Sequence, residues 1–282
     1  MGMAGERTHL ASIHIYPVKA MRAVDLAESR VEPWGLRGDR RWLVVDPKGR
    51  FISQREAPSL ARVAASCEGP DLAVTLTARG RDTITIPPTS AETGAQMIPV
   101  SVWRSGPIAA AAAGRTADEW LSGYLGRPVR LVHLDDPRRR PVDQNCGAPG
   151  DTVSFADGYP LLLTNAASLD ELGKWLADAG DDPVPMTRFR PSVVVSGAEP
   201  WDEDHWLRVQ IGAVIFRVAK PCARCVVTTI DQATGEVGSQ PLKMLGQKRK
   251  FGQDLVFGQN LIPDSLGTIR VGDLVEVLDR VS

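Results

Sequence analysis

Charge imbalance and long apolar runs are both missing from this chain, and each absence excludes a class of protein. Its 282 residues carry 33 Lys and Arg against 34 Asp and Glu, which gives a net charge of −1 at pH 7. A chain so balanced has no overall field that would recruit nucleic acid or an acidic membrane. No run of about 18 apolar residues could span a bilayer, and residues 1–18 lack the apolar core of a signal peptide. We therefore expect a cytoplasmic monomer that binds neither nucleic acid nor a membrane.

Cysteine is also scarce, because the chain has only four. So few do not form a disulfide framework in a chain of this length. Cys222 and Cys225 form a C-x-x-C in "KPCARCVVTTID", residues 220–231, whereas Cys67 and Cys146 are isolated. A structural zinc site usually takes a second such pair, and the histidines are scattered at positions 9, 14, 133 and 205. The residues therefore disfavour a zinc site.

Three interpretations of the C-x-x-C stay open on the residues alone. A redox dithiol usually stands where a strand gives way to a helix, but "VVTTID" after Cys225 predicts a strand. Both cysteines could instead be small residues of the core. The adjoining cations Lys220 and Arg224 favour a thiolate, the form that binds a thiophilic metal. A single functional thiolate therefore stands beside core packing and the dithiol.

Strand patterns outnumber helical patterns along the chain. Alternating or β-branched runs include "LASIHIYPV", "PSVVVSG", "LRVQIGAVIFRVA" and "IRVGDLVEVLD", and hairpins are predicted in "RRWLVVDPKGRFISQ" and "LAVTLTARGRDTITIPP". Helices are predicted in "TADEWLSGYLG" and "SLDELGKWLADAG", each opened by a capping-box pattern, and after Pro241. The sequence thus predicts a mainly β (α+β) fold of antiparallel sheets or barrels with a few short helices.

A segment without periodicity divides the chain. "LDDPRRRPVDQNCGAPGD", residues 134–151, is rich in proline, glycine and charge, as linkers are. We predict one domain at residues 8–133, a linker at 134–150 and a second domain at 151–282. The three arginines at 138–140 suggest contact with nucleic acid, but no aromatic-basic interleaving supports it. We therefore interpret them as part of a solvated linker.

Five segments occur in an order that resembles a known family: "YPVKA", "GLRGDRRWLVVD", "RFRPSVVVSG", "CARCVVTTIDQATGEV" and "FGQN…GTIRVGDLVEVL". Together they are similar to MOSC-domain proteins with an N-terminal MOSC β-barrel domain, among them the mitochondrial amidoxime-reducing component and its bacterial counterparts. The resemblance implies two β-barrel-like domains with a cofactor cleft between them. It also implies that this cleft holds a molybdenum cofactor, that is, molybdenum carried by molybdopterin.

The resemblance implies roles for particular residues. Cys225 would be the protein ligand to molybdenum, and Cys222 would not. Asp231 would position substrate or relay a proton, although "TTIDQATG" also reads as a turn whose carboxylate binds backbone N–H groups. The chain departs from the family at Ala20, where serine is usual, and at Ser192, where asparagine is. The residues that match the family's cofactor contacts are Lys19, Arg40, Thr164, Asn165, Ser168, Arg188, Arg190, Ser192, Arg224 and Asn260.

The implied reaction is the two-electron reduction of a small N-hydroxylated compound to the parent amidine or amine, with the oxygen lost as water. A function from another class stays open, since MOSC domains also occur in molybdenum-cofactor sulfurases. The chain would then carry the cofactor or its sulfur, but no Schiff-base site for pyridoxal phosphate is evident. A redox switch between Cys222 and Cys225 is the third possibility.

Electrons for the implied reaction would have to come from another protein. Cysteines at positions 67, 146, 222 and 225 do not give the four-thiolate spacing of an iron–sulfur cluster. No G-x-G-x-x-G turn suggests a dinucleotide site. We therefore expect no iron–sulfur cluster in this chain and a separate donor, ferredoxin-like or cytochrome-like, with its reductase.

Overall fold

Antiparallel β-strands make up most of the regular secondary structure of the computed structural model, which describes residues 7–69, 72–103 and 105–281. In this part of the chain the strands are β1 (His9–Ile15), β2 (Val24–Leu26), β3 (Glu28–Glu32), β4 (Gly35–Leu36), β5 (Trp42–Val45), β6 (Ala64–Glu68), β7 (Ala73–Thr77), β8 (Ile84–Ile86), β9 (Met97–Val100), β10 (Ile108–Ala112), β11 (Arg130–His133), β12 (Leu161–Asn165), β13 (Val193–Ser196), β14 (Trp206–Ile211), β15 (Val214–Ala223), β16 (Lys250–Phe251), β17 (Asp254–Pro263), β18 (Gly267–Arg270) and β19 (Val275–Arg280). The α-helices are α1 (Arg115–Leu125), α2 (Ala166–Asp178) and α3 (Leu242–Lys248). Short 3-10 helices span Pro58–Arg62, Pro137–Arg139, Met186–Phe189, Asp202–His205 and Val226–Thr229. The predicted mainly β class with a few short helices is confirmed.

The largest sheet is built mostly by the second half of the chain. Its order is β19-β14-β15-β17-β12-β13-β1-β2, with β16 paired to β17. β12 and β13 are parallel neighbours, and α2 provides the crossover that a parallel pair needs. The smaller sheets are β5-β11-β10-β9, β18-β3-β4 and β6-β7-β8. None of these strand orders, read over the described residues, returns to its first strand, so the expected barrels are not closed.

The first strands of the chain lie in the sheet of the second half. β1 pairs with β13, which puts Ile13 opposite Val193, and β3 pairs with β18. The segment from β1 to β4 therefore belongs structurally with strands that begin after residue 160. The domain boundary at residues 134–150 stays a prediction.

Two apolar cores meet near the end of β1. One core, inside the largest sheet, includes Ile15 and Phe216, and the other, in the first half, includes Val18 and Trp42. Burying a side chain of this size contributes about 1.5–3 kcal/mol. Because Ile15 and Val18 belong to different cores, the segment between them runs along the junction.

The alternation predicted for β1 is wrong at its start. Strict alternation along "LASIHIYPV" would put Leu10 on the face opposite to Ile13 and Ile15, yet all three are buried. A bulge between Leu10 and Ser12 shifts the register against β13. Since a bulge adds one residue to one strand, it reverses which face the following side chains occupy.

All three predicted helices are present, but their starts differ from the capping-box prediction. α1 follows Gly114, and no side chain caps it. α2 follows Asn165, whose Oδ1 accepts the N–H of Ala167 at 3.1 Å. Ser168 therefore lies inside α2, because the earlier Asn165 already caps one of the first orphan N–H groups.

The strand predicted for "VVTTID" is wrong, since Val226–Thr229 is a 3-10 helix that follows Cys225. The hydroxyl of Thr228 donates to the carbonyl of Cys225 at 3.0 Å, and that of Thr229 donates to the carbonyl of Val226 at 2.8 Å. Such local bonds let threonine stabilise a turn despite its preference for strands. Both threonines are buried, so tertiary packing decides the conformation.

The segment at 134–150 is not simply a solvated linker. Arg138 is exposed and paired with Asp136, as expected, but Arg140 is only 6% exposed. Its guanidinium donates to the carbonyls of Ala156 at 2.6 Å and Asp157 at 3.0 Å. A buried arginine needs such acceptors, and here it fixes the backbone that follows the segment.

Candidate active-site cleft

A cleft of about 280 Å³ opens at the junction of the two cores, and both halves of the chain line it. Four kinds of side chain line its walls: cations, a carboxylate, aromatic rings and two thiols. From the first half come Lys19, Arg40, Phe51, Gln54 and Trp103, and from the second half Asp157, Phe189, Arg190, Cys222, Arg224, Cys225 and Asn260.

Lys19 is held in the wall by acceptors from the second half. Its Nζ donates to the carbonyl of Phe155 at 2.7 Å and to Asp157 Oδ1 at 2.6 Å. Lys19 is only 7% exposed, and this burial lowers its pKa from 10.5 to about 8, although Asp157 acts in the opposite direction. The ammonium is therefore charged at neutral pH but loses its proton more easily than a surface lysine.

Asp157 is a cleft residue that the sequence analysis missed. Besides Lys19, its Oδ1 accepts the indole N–H of Trp103 at 2.8 Å. Its partners come from distant segments of the chain, so no local motif marks Asp157. Arg140 donates a hydrogen bond to the carbonyl of Asp157. This bond marks the position of Asp157, but it can be recognised only once the fold is known.

Two arginines lie over the ring of one buried tyrosine. The guanidinium of Arg40 lies 4.4 Å from the ring centroid of Tyr16, and that of Arg190 lies 4.2 Å from it. A cation over an aromatic face gains electrostatic energy without using its N–H groups. Arg40 also donates to the buried Asp39, which in turn accepts the N–H of Tyr16 at 2.7 Å. Tyr16 and Asp39 therefore set the positions of both arginines.

Unusual backbone conformations cluster at this cleft. Of the six non-glycine residues with positive φ in the described chain, four line it: Ala20, Arg40, Trp103 and Arg190, with φ between 49° and 72°. Such conformations cost about 1–3 kcal/mol each and collect at ligand sites, where the surrounding structure enforces them. The protein therefore loses some folding free energy at the cleft in order to hold these four residues in a defined geometry.

Both thiols of the C-x-x-C lie in the cleft, but their surroundings differ. Arg224 donates from Nη1 to Cys222 Sγ at 2.9 Å and from Nη2 to the carbonyl of Phe189 at 2.7 Å. Cys225 precedes the 3-10 helix, and its carbonyl accepts both the N–H and the hydroxyl of Thr228 at 3.0 Å. The backbone of Cys225 is therefore fixed, while no hydrogen bond to its sulfur is found among the described residues.

Guanidinium N–H groups at the cleft lack acceptors, and this tests whether an anionic cofactor fits. Arg190 Nη2 and Arg224 Nε are buried without a hydrogen-bond partner in the described chain. An unsatisfied buried donor of this kind costs about 1–3 kcal/mol. A phosphate would supply the missing acceptors, and paired N–H groups of arginine match it. The residues present therefore fit a phosphate-bearing cofactor such as molybdopterin.

Several residues that the resemblance suggested do not line this cleft. Asn165 and Ser168 donate to the buried carboxylate of Glu203, at 3.1 and 2.7 Å, and so stabilise the start of α2. Ser192 accepts the N–H of Leu162 at 3.2 Å. Thr164 is fully buried in β12, with no partner for its hydroxyl among the described residues.

Asp231 and Arg188 form a pair beside the cleft rather than in it. Arg188 Nη2 donates to Asp231 Oδ2 at 3.1 Å. Asp231 Oδ1 accepts the N–H groups of Ala233 and Thr234 at 2.9 and 2.8 Å. These turn bonds lower the pKa of Asp231. The geometry matches the turn interpretation of "TTIDQATG".

Of the residues suggested by the resemblance, Lys19, Arg40, Arg190, Arg224, Cys225 and Asn260 line the cleft. Asn260 Nδ2 makes only long bonds, to the carbonyls of Lys220 at 3.3 Å and Pro221 at 3.4 Å. Over the described residues, no three His, Cys, Asp or Glu side chains gather as metal ligands. Nor does that part of the chain contain a helix long and apolar enough to cross a membrane.

Two family models match this chain. The one described as the MOSC N-terminal beta barrel domain matches residues 7–128, and the one described as the MOSC domain matches residues 150–276. The human protein named mitochondrial amidoxime-reducing component 1 is 31% identical over 96% of this chain and 83% of its own length. Human molybdenum cofactor sulfurase is 26% identical over 91% of this chain but only 30% of its own length. Among solved structures, the YuaD protein of Bacillus subtilis aligns over 95% of this chain and 94% of that chain, with 10% identity and a TM-score of 0.40.

Proposed function

The chain belongs to the family of MOSC-domain proteins that carry an N-terminal MOSC β-barrel domain, and from this premise we propose that it is a molybdenum-dependent oxidoreductase that reduces small N-hydroxylated compounds. The cleft carries the proposal, since it combines a free thiol at Cys225 with unsatisfied N–H groups of Arg190 and Arg224. A thiolate suits a thiophilic metal, and the N–H groups suit a phosphate. The choice of N–O reduction rests on the relatives whose name describes amidoxime reduction.

Five residues of the cleft would hold the organic part of the cofactor. Arg190, Arg224 and Lys19 offer positive charge and N–H donors to its phosphate. Arg40 supports this charge from its stacked position on Tyr16. Asn260 offers an amide group to the donor and acceptor edge of the pterin.

Cys225 would be the protein ligand to molybdenum. Its position before the 3-10 helix and the two bonds from Thr228 to its carbonyl fix its backbone. A ligand held on a fixed backbone keeps the metal in one place in the cleft. Cys222, whose sulfur contacts the Arg224 guanidinium, would stay outside the metal's coordination.

The reaction breaks the N–O bond of the substrate, takes up two electrons and two protons, and releases the oxygen as water. When bound, the molybdenum cofactor supplies the two-electron chemistry. The chain's own residues bind and orient: Lys19, Arg190 and Arg224 anchor the anionic end of the cofactor. Asp231, Arg188, Thr164, Asn165, Ser168 and Ser192 then act on the fold rather than in the cleft.

A second candidate is a carrier that binds the cofactor without turnover. The match to a molybdenum cofactor sulfurase over 91% of this chain supports it, because that relative is similar to both halves of the chain. The same cations and thiol would serve binding in either case. The two functions therefore differ in turnover, not in the site.

The test is metal and pterin analysis combined with an assay. The protein is purified from a host that makes the cofactor, molybdenum and pterin are measured, and benzamidoxime reduction is followed with reduced methyl viologen as donor. We expect stoichiometric molybdenum and reduction to benzamidine. Metal without turnover would instead support the carrier, and a preparation without metal or pterin would refute both.

A further inference from the structure

Two glutamines from opposite halves of the chain bind each other through their side-chain amides. Gln54 Nε2 donates to Gln232 Oε1 at 3.0 Å, and Gln232 Nε2 donates to Gln54 Oε1 at 3.1 Å. The other hydrogens of the two amides go to backbone carbonyls, from Gln54 to Ala20 at 2.7 Å and from Gln232 to Ile230 at 3.0 Å. Each amide nitrogen therefore uses both of its hydrogens. We call Gln54 and Gln232 the amide clasp.

The amide clasp also binds one of the arginines of the cleft. Arg190 Nη1 donates to Gln232 Oε1 at 3.0 Å, so this oxygen accepts from Arg190 and from Gln54 at once. Exchanging the oxygen and nitrogen of the Gln232 amide would set N–H groups against N–H groups, so the network fixes its orientation. The ring of Tyr16 lies 4.2 Å from the same guanidinium. Arg190 is thus held by two contacts, neither of which carries a charge.

A turn of the chain presents Gln232 to the first half. Asp231 Oδ1 accepts two backbone N–H groups of this turn, at 2.9 and 2.8 Å. Gly235, in the same turn with φ +79°, packs so closely that a Cβ there would lie 3.3 Å from the carbonyl oxygen of Pro58. The turn therefore meets the first half at two places, Pro58 and Gln54. This gives Asp231 a role that needs no contact with a ligand.

The amide clasp lies between two cavities. Gln54 is only 1% exposed and lines the cleft, whereas Gln232 lines a second cavity of about 260 Å³. Arg190 lines both. The clasp is therefore part of the partition behind Arg190, and loosening it would give the guanidinium room to turn away from the cleft.

An amide partner leaves the positive charge of Arg190 available. Arg40, which also lines the cleft, is paired with the buried Asp39. Arg190 has no bond to a carboxylate among the described residues, and its Nη2 is buried there without an acceptor. Burial lowers the pKa of Arg190 to about 10, so nearby carboxylates do not fully compensate its charge. A carboxylate in place of Gln232 would hold the same guanidinium but neutralise it.

We propose that Gln232, supported by Gln54, is a positioning residue: the amide clasp holds the Arg190 guanidinium at the cleft with its charge free for the anionic end of the cofactor. The proposal rests on the proposed function, because the anion concerned is the phosphate of that cofactor. Gln232 acts through Arg190 and touches no ligand itself. Anion binding by the cleft thereby depends on the contact between the two halves of the chain.

The test is a double-mutant cycle on the cofactor-free chain, with inorganic phosphate as the probe in calorimetry. Its members are Gln232→Met, Arg190→Ala and the two together, and methionine keeps the length of the side chain without its amide. Gln210→Met is the matched control. Gln210 is also a half-buried glutamine that donates to a backbone carbonyl, that of Gly212 at 2.9 Å, but it lines neither cavity.

We expect Gln232→Met to weaken phosphate binding about three- to tenfold, as the loss of one hydrogen bond that orients a donor would, and no more than Arg190→Ala does. In the Arg190→Ala background the same replacement should change affinity less than about twofold, because its effect passes through Arg190. Gln54→Met should weaken binding in the same direction, since it leaves Gln232 without its partner. Gln210→Met should bind phosphate like the unaltered chain.

Equal losses from Gln232→Met with and without Arg190 would overturn the proposal, because the clasp would then only join the two halves. An equal loss in Gln210→Met would overturn it too. Should Gln232→Met fail to fold, Gln232→Glu decides: its carboxylate would pair with Arg190 and keep the fold, while phosphate affinity falls about tenfold or more. Unchanged affinity in that variant would refute the role of the clasp. If even the unaltered chain binds no phosphate, the anion site of the proposed function fails, and the role of the clasp fails with it.

Discussion

At the scale of single residues, the two thiols of the cleft should behave differently when replaced. Cys225→Ser should abolish benzamidoxime reduction, because oxygen is a harder ligand than sulfur and alters the metal it binds. Cys222→Ser should retain turnover, because the sulfur of Cys222 accepts a hydrogen bond from Arg224 and would not bind the metal. The measurement is viologen-driven turnover with metal content of both variants. Equal loss in the two would instead support a dithiol mechanism.

Replacing Arg40 and replacing Arg190 should have different effects on stability and on phosphate affinity, although both side chains stack on Tyr16. Arg40 pairs with Asp39, whose side chain is fully buried. Arg40→Ala therefore leaves a buried charge unpaired, which costs about 3–5 kcal/mol of unfolding free energy. Arg190 has no carboxylate partner among the described residues and donates to Gln232. Arg190→Ala should then lower phosphate affinity about tenfold, with a smaller loss of stability.

Chemical denaturation and phosphate titration of both variants measure this separation. Tyr16→Phe, which keeps the ring, is the control for the stacking contribution. A larger loss of stability in Arg190→Ala than in Arg40→Ala would contradict the assignment of Asp39 to Arg40.

The lowered pKa of Lys19 predicts that anion binding depends on pH. Its pKa is lowered to about 8 by burial, so the charge that attracts phosphate is present below pH 8 and is lost above it. Phosphate affinity of the cofactor-free chain should therefore fall by up to about tenfold per pH unit above pH 8. Lys19→Met should remove this step, whereas Lys48→Met at an exposed site should keep it. Calorimetry from pH 7 to 10 decides, and an unchanged step in Lys19→Met would refute the role.

The same pKa shift has a consequence for stability. Between pH 8 and 10.5 the unfolded chain binds a proton on Lys19 that the folded chain has already lost. Stability contributed by this residue therefore rises with pH across that window. Denaturation of Lys19→Met beside the unaltered chain at both ends of the window shows the difference.

At the scale of elements, β17 approaches β12 so closely that glycine is required. Gly258 has φ +79°, and a Cβ there would lie 2.6 Å from the carbonyl oxygen of Leu163. Gly252 has φ +60° with open space around it. Gly252→Ala should cost about 1 kcal/mol from backbone conformation alone, while Gly258→Ala should add about 1–3 kcal/mol of overpacking. Denaturant unfolding compares them, and equal losses would contradict the close approach.

How far the elements follow from sequence depends on where their causes lie. The helices and most strands were predicted, because the spacing of apolar side chains is local. The 3-10 helix after Cys225 was not, because the hydroxyls of Thr228 and Thr229 and their burial outweigh β-branched propensity. The bulge in β1 was missed for a similar reason, since it depends on β13, far along the chain.

The residues of the candidate site were likewise predicted only in part. Lys19, Arg40, Arg190 and Arg224 were found because they stand in recognisable motifs, and the fold gathers them in one cleft. Asp157 was missed because its partners Lys19 and Trp103 lie far away in sequence. Asn165 and Ser168 were assigned to the cofactor from their segment, but their side chains turn to Glu203. Motifs thus identify which segments matter, and packing decides which side chains face the cleft.

At the scale of the whole molecule, the proposed reductase should need a separate source of electrons. We expect no benzamidoxime turnover by the pure, cofactor-loaded chain with NADPH alone, and turnover with reduced methyl viologen. The physical reason is that a two-electron reduction needs a redox group able to take hydride from a nicotinamide, and the chain's sequence has no motif for one. Steady turnover with NADPH alone would show a cofactor site that we have missed.

The pairing of β1 with β13 also constrains how the protein is made. The first strand leaves the ribosome some 180 residues before β13, so although β2 can pair with one edge of it early, its other edge must wait unpaired while the intervening segments fold. Contacts of such sequence separation slow folding and leave strand edges open to other chains. A chain cut at residue 140 would release two pieces that each lack strands of the largest sheet, with β13 left as an open edge. The two halves of the chain therefore need each other to fold, just as both are needed to form the cleft.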